Sequence, residues 1–312
     1  MEEAAVLLRP RVKQRRGASL RLLRRDSVQQ TLFVAPACLL LLGLTVYPFV
    51  YSVYLSMHRV RLTNLTRSRF VGFDNYTQLL SDGLFIHALI NTALLAVVSI
   101  ILETILGFIV AKVFMSLGAR RWVNVLRSLY LLPMMVTPLT VGVVFAYIFN
   151  PTIGIMNYLL HIVDVQPVSW FGSPSVAMLT IVLINVWQFT PFMMLLILAA
   201  LLSIRSDLYE AARVDGAKWH HIIRRIEIPS IIGVVLLGAI LRLIDILRYF
   251  DVIYVTTRGG PGDSTMVLTL YAYQQDFQYF QVGAGSAASV LILIASIVVT
   301  TFAVRLLRRI EA

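Results

Sequence analysis

With 312 residues, 58% of them hydrophobic and only 14% charged, the chain falls well short of the roughly one-quarter charged residues that wet a soluble domain. Its net charge of +11 does not point to nucleic acid, because the basic residues sit beside apolar segments instead of lining one soluble face, the placement that orients a membrane protein. The single cysteine, Cys38, excludes an intrachain disulfide and, within an apolar run, reads as a small hydrophobe.

The first 30 residues form a basic arm carrying Arg9, Arg11, Lys13, Arg15, Arg16, Arg21, Arg24 and Arg25. The apolar run after it is about 26 residues long, beyond the 7–15 of a cleaved signal core, and reads as an uncleaved first helix. A spanning helix needs about 20 mostly apolar residues to cross about 30 Å of hydrocarbon. Six stretches meet that requirement: 31–57, 85–117, 122–149, 176–202, 231–256 and 283–307. The second is overlong and predicts tilt or projection from the bilayer. Pro36, Pro48, Pro133, Pro138 and Pro191 lie inside these spans. Each frees a backbone carbonyl that a neighbouring helix must accommodate, so the spans are expected to form a bundle.

Charge sets the expected topology. The arm, the second and fourth connections and the tail hold twenty Lys and Arg; the first, third and fifth connections hold five, namely Arg59, Arg61, Arg67, Arg69 and Arg258. By the positive-inside rule both termini are cytoplasmic. The four arginines after span one run against the trend.

The fourth connection, 203–230, reads as two short helices and a turn. Ser203 or Ser206 is placed to cap the first helix, and Asp207 suits its positive end. Gly216 suits the left-handed position that closes it. A second helix over 218–226 is expected to break at Pro229 before span five. Such a segment is a compact cytoplasmic docking knob.

The run Glu210-Ala211-Ala212, then Asp215-Gly216, then Ile226-x-Ile228-Pro229 resembles the EAA loop of bacterial ABC import permeases. The resemblance implies an all-α, polytopic six-helix transmembrane domain of the type I importer kind, in a bacterial inner (plasma) membrane. It further implies that Glu210, Ala211, Ala212, Asp215, Gly216, Ile226 and Pro229 dock into a separate cytoplasmic ATPase. Ile228 stands where leucine is usual, and Arg205 where proline often precedes the helix. The segment 249–265, with Gly259-Gly260-Pro261-Gly262, is similar to the end of span five and the following loop in maltose- and trehalose-type first permeases. Residues 70–76 and 150–157 resemble external segments of the same group. These likenesses imply a second, homologous permease as partner in a heterodimer, two ATPase subunits, and an extracytoplasmic binding protein facing Gly259, Gly260 and Pro261. On geometry alone, that Gly/Pro segment is a tight external turn.

Polar residues inside a bilayer are costly and default to functional hypotheses. Span five carries Arg242, Asp245, Arg248 and Asp251 at intervals of three, a spacing that pairs neighbours along a helix. Arg242, Asp245 and Tyr249 fall within about 60° on one face. Span four offers Asn185, Trp187 and Gln188, and span two Asn91 and Glu103. Planar polar groups and aromatic rings suit sugar hydroxyls and ring faces, so Asn185, Trp187, Gln188, Asp245, Tyr249 and Asp251 are the candidates for the substrate pathway. The plainer reading of the span-five charges is an ion-pair network locking helices. His220 and His221 point about 100° apart and lack the i,i+4 spacing of a zinc helix; no metal site is expected.

No Gly-x-x-x-x-Gly-Lys-Ser/Thr loop occurs. The chain is expected to bind no cofactor, with ATP and Mg on the partner, and to be a non-catalytic permease for a di- or oligosaccharide such as trehalose or maltose. Alternatives are glycerol-3-phosphate import, an ion-coupled secondary transporter, which predicts internal repeats not evident here, and an enzyme acting on lipid-linked sugars.

Overall fold

The computed structural model describes residues 33–118 and 120–311; the basic arm and the first residues of span one lie outside them. By its internal contacts the chain divides into two units, meeting between Ser52 and Val53. Helix α1 (Phe33–Ser56) contains a widened π-turn at Leu42–Val46. Its apolar side chains are exposed, from Phe33 to Tyr54, as for a helix whose solvent is lipid.

The second unit opens with a hairpin that composition did not foretell, β1 (His58–Arg61) and β2 (Asn64–Phe70), paired antiparallel. Short helix α2 (Asp74–Ser81) leads into α3 (Gly83–Leu117), 35 residues in one run. At 1.5 Å per residue α3 is about 52 Å long, so roughly 20 Å of it lies beyond the hydrocarbon or is taken up by tilt. Helix α8 (Pro174–Leu202) packs along it. Gly107 permits the contact: a Cβ there would meet the Met194 amide nitrogen at 2.9 Å.

The stretch expected as a third span is not one helix. It is α4 (Arg121–Tyr130), a single turn α5 (Leu132–Met135) and α6 (Pro138–Ile148). Pro138 opens α6 without an amide hydrogen, and Val136 and Thr137 ahead of it are extended, with ψ of 138° and 140°. Five helices are therefore long and apolar enough to cross a membrane, with α6 as a shorter apolar segment, among the described residues.

After α7 (Ile155–Ile162) and α8 comes α9 (Ser206–Val214). Helix α10 runs unbroken over Trp219–Ile246. Pro229 does not break it, contrary to expectation, because the ladder widens into a π-turn at Ile223–Glu227 just before the proline. The interruption in span five falls later. Residues 247–250 leave the helix before α11 (Asp251–Thr256). Helix α12 (Leu268–Tyr273) and the long α13 (Val282–Glu311) complete the chain.

Two apolar clusters form the core. One gathers Leu95, Ile181, Ile184, Val252 and Tyr271; the other gathers Ala111, Ile197, Leu201 and Ile231. Along α3, α8 and α10, a polar layer separates them.

Candidate functional site

That polar layer is built by three helices. Arg242 of α10 is 1% exposed, and Glu103 of α3 and Asn185 of α8 are fully buried. The Arg242 guanidinium donates to both Glu103 oxygens at 2.7 and 2.9 Å, and to Asn185 Oδ1 at 3.0 Å. It also lies 3.8 Å from the centre of the Phe189 ring, a cation–π contact strengthened by desolvation. Asp245, its expected partner three residues on, is only a marginal one at 3.4 Å, and its side chain is 63% exposed. The strong pairing therefore runs between helices, because an i,i+3 partner cannot satisfy a guanidinium's fork as a facing carboxylate does.

Beside this layer lies a cavity of about 310 Å³, lined by Gln188, Phe189, Arg242, Asp245, Arg248, Tyr249, Phe250 and Asp251 together with the α5–α6 break. Gln188 donates 2.9 Å to the Val136 carbonyl within that break, which meets a backbone group the proline-interrupted span leaves free. Gln188 Oε1 is buried without a partner among the described residues, and Tyr249 Oη faces Asn185, with neither side chain making a bond of regular geometry there. Of the pathway candidates, Gln188, Asp245, Tyr249 and Asp251 line the cavity. Asn185 sits behind Arg242, and Trp187 turns away to pack edge-on against Phe145 at 5.0 Å. Residues 187 and 189 lie about 200° apart on α8, so Trp187 falls on the side of the helix away from Phe189. The contribution of the α5–α6 break was not read from sequence, although Pro133 and Pro138 were its visible signal.

The loop 203–230 forms the second candidate region. Gly216 has φ of +70°, and the amides of Gly216 and Ala217 donate to the carbonyls of Arg213 and Ala212 at 3.1 and 2.9 Å. This paired closure satisfies the last carbonyls of α9. Neither expected serine caps α9. Ser203 Oγ instead donates to the Ala200 carbonyl at 2.7 Å, and Arg205 pairs with Asp207. Glu210, Ala211, Asp215 and Pro229 are exposed, and Ala212 and Ile226 half-buried. Val214 and Trp219 are 87% and 75% exposed.

The loop is tied to the bundle at Glu227, which is fully buried. Lys112 Nζ of α3 donates to Glu227 Oε1 at 2.6 Å, and Tyr209 of α9 reaches the same oxygen at 3.3 Å. Burial, with the carboxylate beside it, pushes the Tyr209 phenol up to about 12. A cleft of about 590 Å³ opens between these groups, Glu210 and Trp219.

The segment 259–268 lies against the start of α3. Asn91 Nδ2 donates to the Met266 carbonyl at 2.9 Å, and Thr92 Oγ1 accepts from the Leu268 amide at 3.0 Å. The Thr257 and Thr265 hydroxyls bond at 2.7 Å across the Gly259-Gly260-Pro261 turn. Arg258, just before that turn, has a left-handed φ of 51°.

Residues 103–311 match the family model described as "Binding-protein-dependent transport system inner membrane component", and the chain belongs to that family: it is an ABC importer permease, a non-catalytic, multi-pass component of the inner membrane. It is 35% identical over 280 residues to the trehalose/maltose transport system permease protein MalF of Thermococcus litoralis, covering 90% of this chain and 92% of that one. It is 33% identical over 290 residues to the sulfoquinovosyl glycerol transport system permease protein SmoG of Agrobacterium fabrum, covering 91% of each. Its fold is similar to a chain in the crystal structure of a bacterial ABC transporter involved in import of the acidic polysaccharide alginate, with TM-score 0.79, 23% identity and coverage of 94% of this chain and 99% of that chain.

Proposed function

We propose that this permease forms half of the translocation pathway for a neutral di- or oligosaccharide of the trehalose or maltose kind. In this reading it pairs with a second, homologous permease. Two cytoplasmic ATPase subunits grip the loop around Glu210 and Gly216, and a soluble binding protein delivers substrate to the face that includes Gly259, Gly260 and Pro261. Both termini are then cytoplasmic. ATP and Mg belong to the ATPase subunits.

The observation that carries the substrate class is the cavity beside Gln188 and Tyr249. Its buried Gln188 Oε1 and Tyr249 Oη and its Phe189 and Phe250 rings offer hydrogen bonds to hydroxyls and flat apolar faces to a pyranose. Its charge argues against glycerol-3-phosphate: Arg242 is neutralised by Glu103, while Asp245 and Asp251 outnumber Arg248. The relatives named above for sugar derivatives point the same way. The loop supports coupling, because a peg tied to α3 at Glu227 passes its displacement directly to a membrane helix.

The test is reconstitution of the complete complex with binding protein in liposomes. A neutral disaccharide is expected to stimulate ATP hydrolysis and to accumulate inside, and Gln188→Ala with Tyr249→Phe to reduce uptake. Unchanged uptake rate and apparent affinity in that variant would remove the cavity from the pathway. Uptake that persists when the ATPase is inactivated would remove the ATP-driven reading altogether.

A further inference from the structure

We propose that the β1–β2 hairpin is a binding face for the phosphate of an anionic phospholipid at the membrane surface. An isolated two-stranded hairpin is marginal in water, and this one is held in place by the ends of the spanning helices. The Val71 amide donates to the Met57 carbonyl, just past the end of α1, at 2.9 Å, and the Leu62 amide in the turn donates to the Phe280 carbonyl, just before α13, at 2.9 Å. Asn75 Nδ2 bridges the Ser56 and His58 carbonyls at 2.8 and 3.0 Å. Gly283, in the first turn of α13, lets the His58 carbonyl approach where any Cβ would collide. Both ends of β1 are thus level with the start of a membrane-spanning helix, at headgroup depth, since the headgroup layer adds about 5–8 Å to each side of the hydrocarbon.

Arg59 of β1 stands directly opposite Arg69 of β2. Like charges so placed repel and weaken a sheet. Arg59, Arg61 and Arg69 are exposed and form no ion pair among the described residues, while Val60 between them turns inward at 3% exposed. A phosphate seated between two guanidinium forks converts the repulsion into paired, charge-assisted hydrogen bonds. The rings beside these arginines favour lipid over a protein partner: Phe70 and Phe73 are 66% and 68% exposed, as at a membrane interface, where aromatic groups sit at headgroup level. The same bond explains arginines on the side the positive-inside rule leaves poor in them. The inference needs only the spanning fold; the orientation proposed above assigns it to the outer leaflet.

The experiment uses the full chain in nanodiscs of phosphatidylcholine with and without phosphatidylglycerol, reading the thermal unfolding midpoint and, after transfer to detergent, retained phosphatidylglycerol by native mass spectrometry. Phosphatidylglycerol is expected to raise the midpoint of the unmodified chain, by linkage. Arg59→Gln/Arg69→Gln should reduce that rise and the retained lipid at least twofold without lowering the midpoint in phosphatidylcholine. Arg59→Lys/Arg69→Lys, and Arg69→Gln alone should the double variant not fold, are expected to fall between. An undiminished rise in the Gln variants, or no rise in the unmodified chain, overturns the proposal. So does loss of binding-protein association in the Gln variant with its lipid response intact, which would make the hairpin a protein contact.

Discussion

Arg242 and Glu103 lie 139 positions apart and meet through two hydrogen bonds, 2.7 and 2.9 Å long, in the polar layer between two apolar clusters. A bidentate pair at this depth fixes how α3 and α10 face each other, because each ion has few other places to go.

Removing one partner should therefore cost far more than removing both. Arg242→Met strands a buried carboxylate and is expected to destabilise the chain by about 3–5 kcal/mol. The double variant Arg242→Met/Glu103→Leu should recover most of that loss. Unfolding midpoints of purified protein in detergent check it, and equal losses in the single and double variants would mean the pair contributes no mutual stabilisation.

A second ion pair joins half-buried Lys112 to buried Glu227 and ties the loop to α3 at 2.6 Å. Lys112→Met is expected to leave the complex assembled but to lower sugar uptake per ATP hydrolysed by about fivefold or more, the low end of typical coupling energies. The reversed pair Lys112→Glu/Glu227→Lys should restore part of it. Parallel measurement of uptake and hydrolysis in proteoliposomes separates this from simple loss of activity.

Gly216 sits at φ +70° with open space around it, so the objection to a side chain there is backbone strain, not crowding. Gly216→Val should cost about 1–2 kcal/mol locally and loosen the end of α9, while Gly216→Asn, which tolerates the left-handed region, should cost less. The expected readout is a graded loss of co-purifying ATPase, in the order Val, Asn, Gly, with membrane insertion unchanged.

Asp276, between α12 and α13, has an oxygen without a partner among the described residues and faces Gly285, where a Cβ would collide with it. Burial raises its carboxyl to about 6, above the roughly 3.9 of an unfolded aspartate. The native state therefore binds the proton more tightly, and stability falls as pH rises from about 4 through about 6. The thermal midpoint should be higher at pH 5 than at pH 7.5, and Asp276→Asn should remove the part of that difference arising here. A variant with the same pH dependence as the parent would show that Asp276 is charged without penalty.

Local chemistry made much of this legible. Hydropathy and length located the long helices, since crossing hydrocarbon demands consecutive apolar residues wherever they later pack. The left-handed turn at Gly216 was also readable, because backbone sterics act within a few residues. By contrast, Pro229 looked like a helix breaker and is not one, since a π-turn upstream absorbs it. Pro133 and Pro138 looked tolerable within one span, yet they divide it. The hairpin at 58–70 carried no signal distinct from an ordinary connection; its anchors are Ser56, Asn75 and Phe280.

The order of residues alone determined that this chain must live in a membrane and turn left-handed at Gly216, because composition, spacing and backbone sterics are local properties. Only the tertiary structure decided which charges pair. Arg242 chose Glu103 over Asp245, Gln188 reached the α5–α6 break, and Trp187 turned from the cavity, because partners far apart in the chain become neighbours only when helices pack, and burial then makes each unmet polar group expensive enough to select among them.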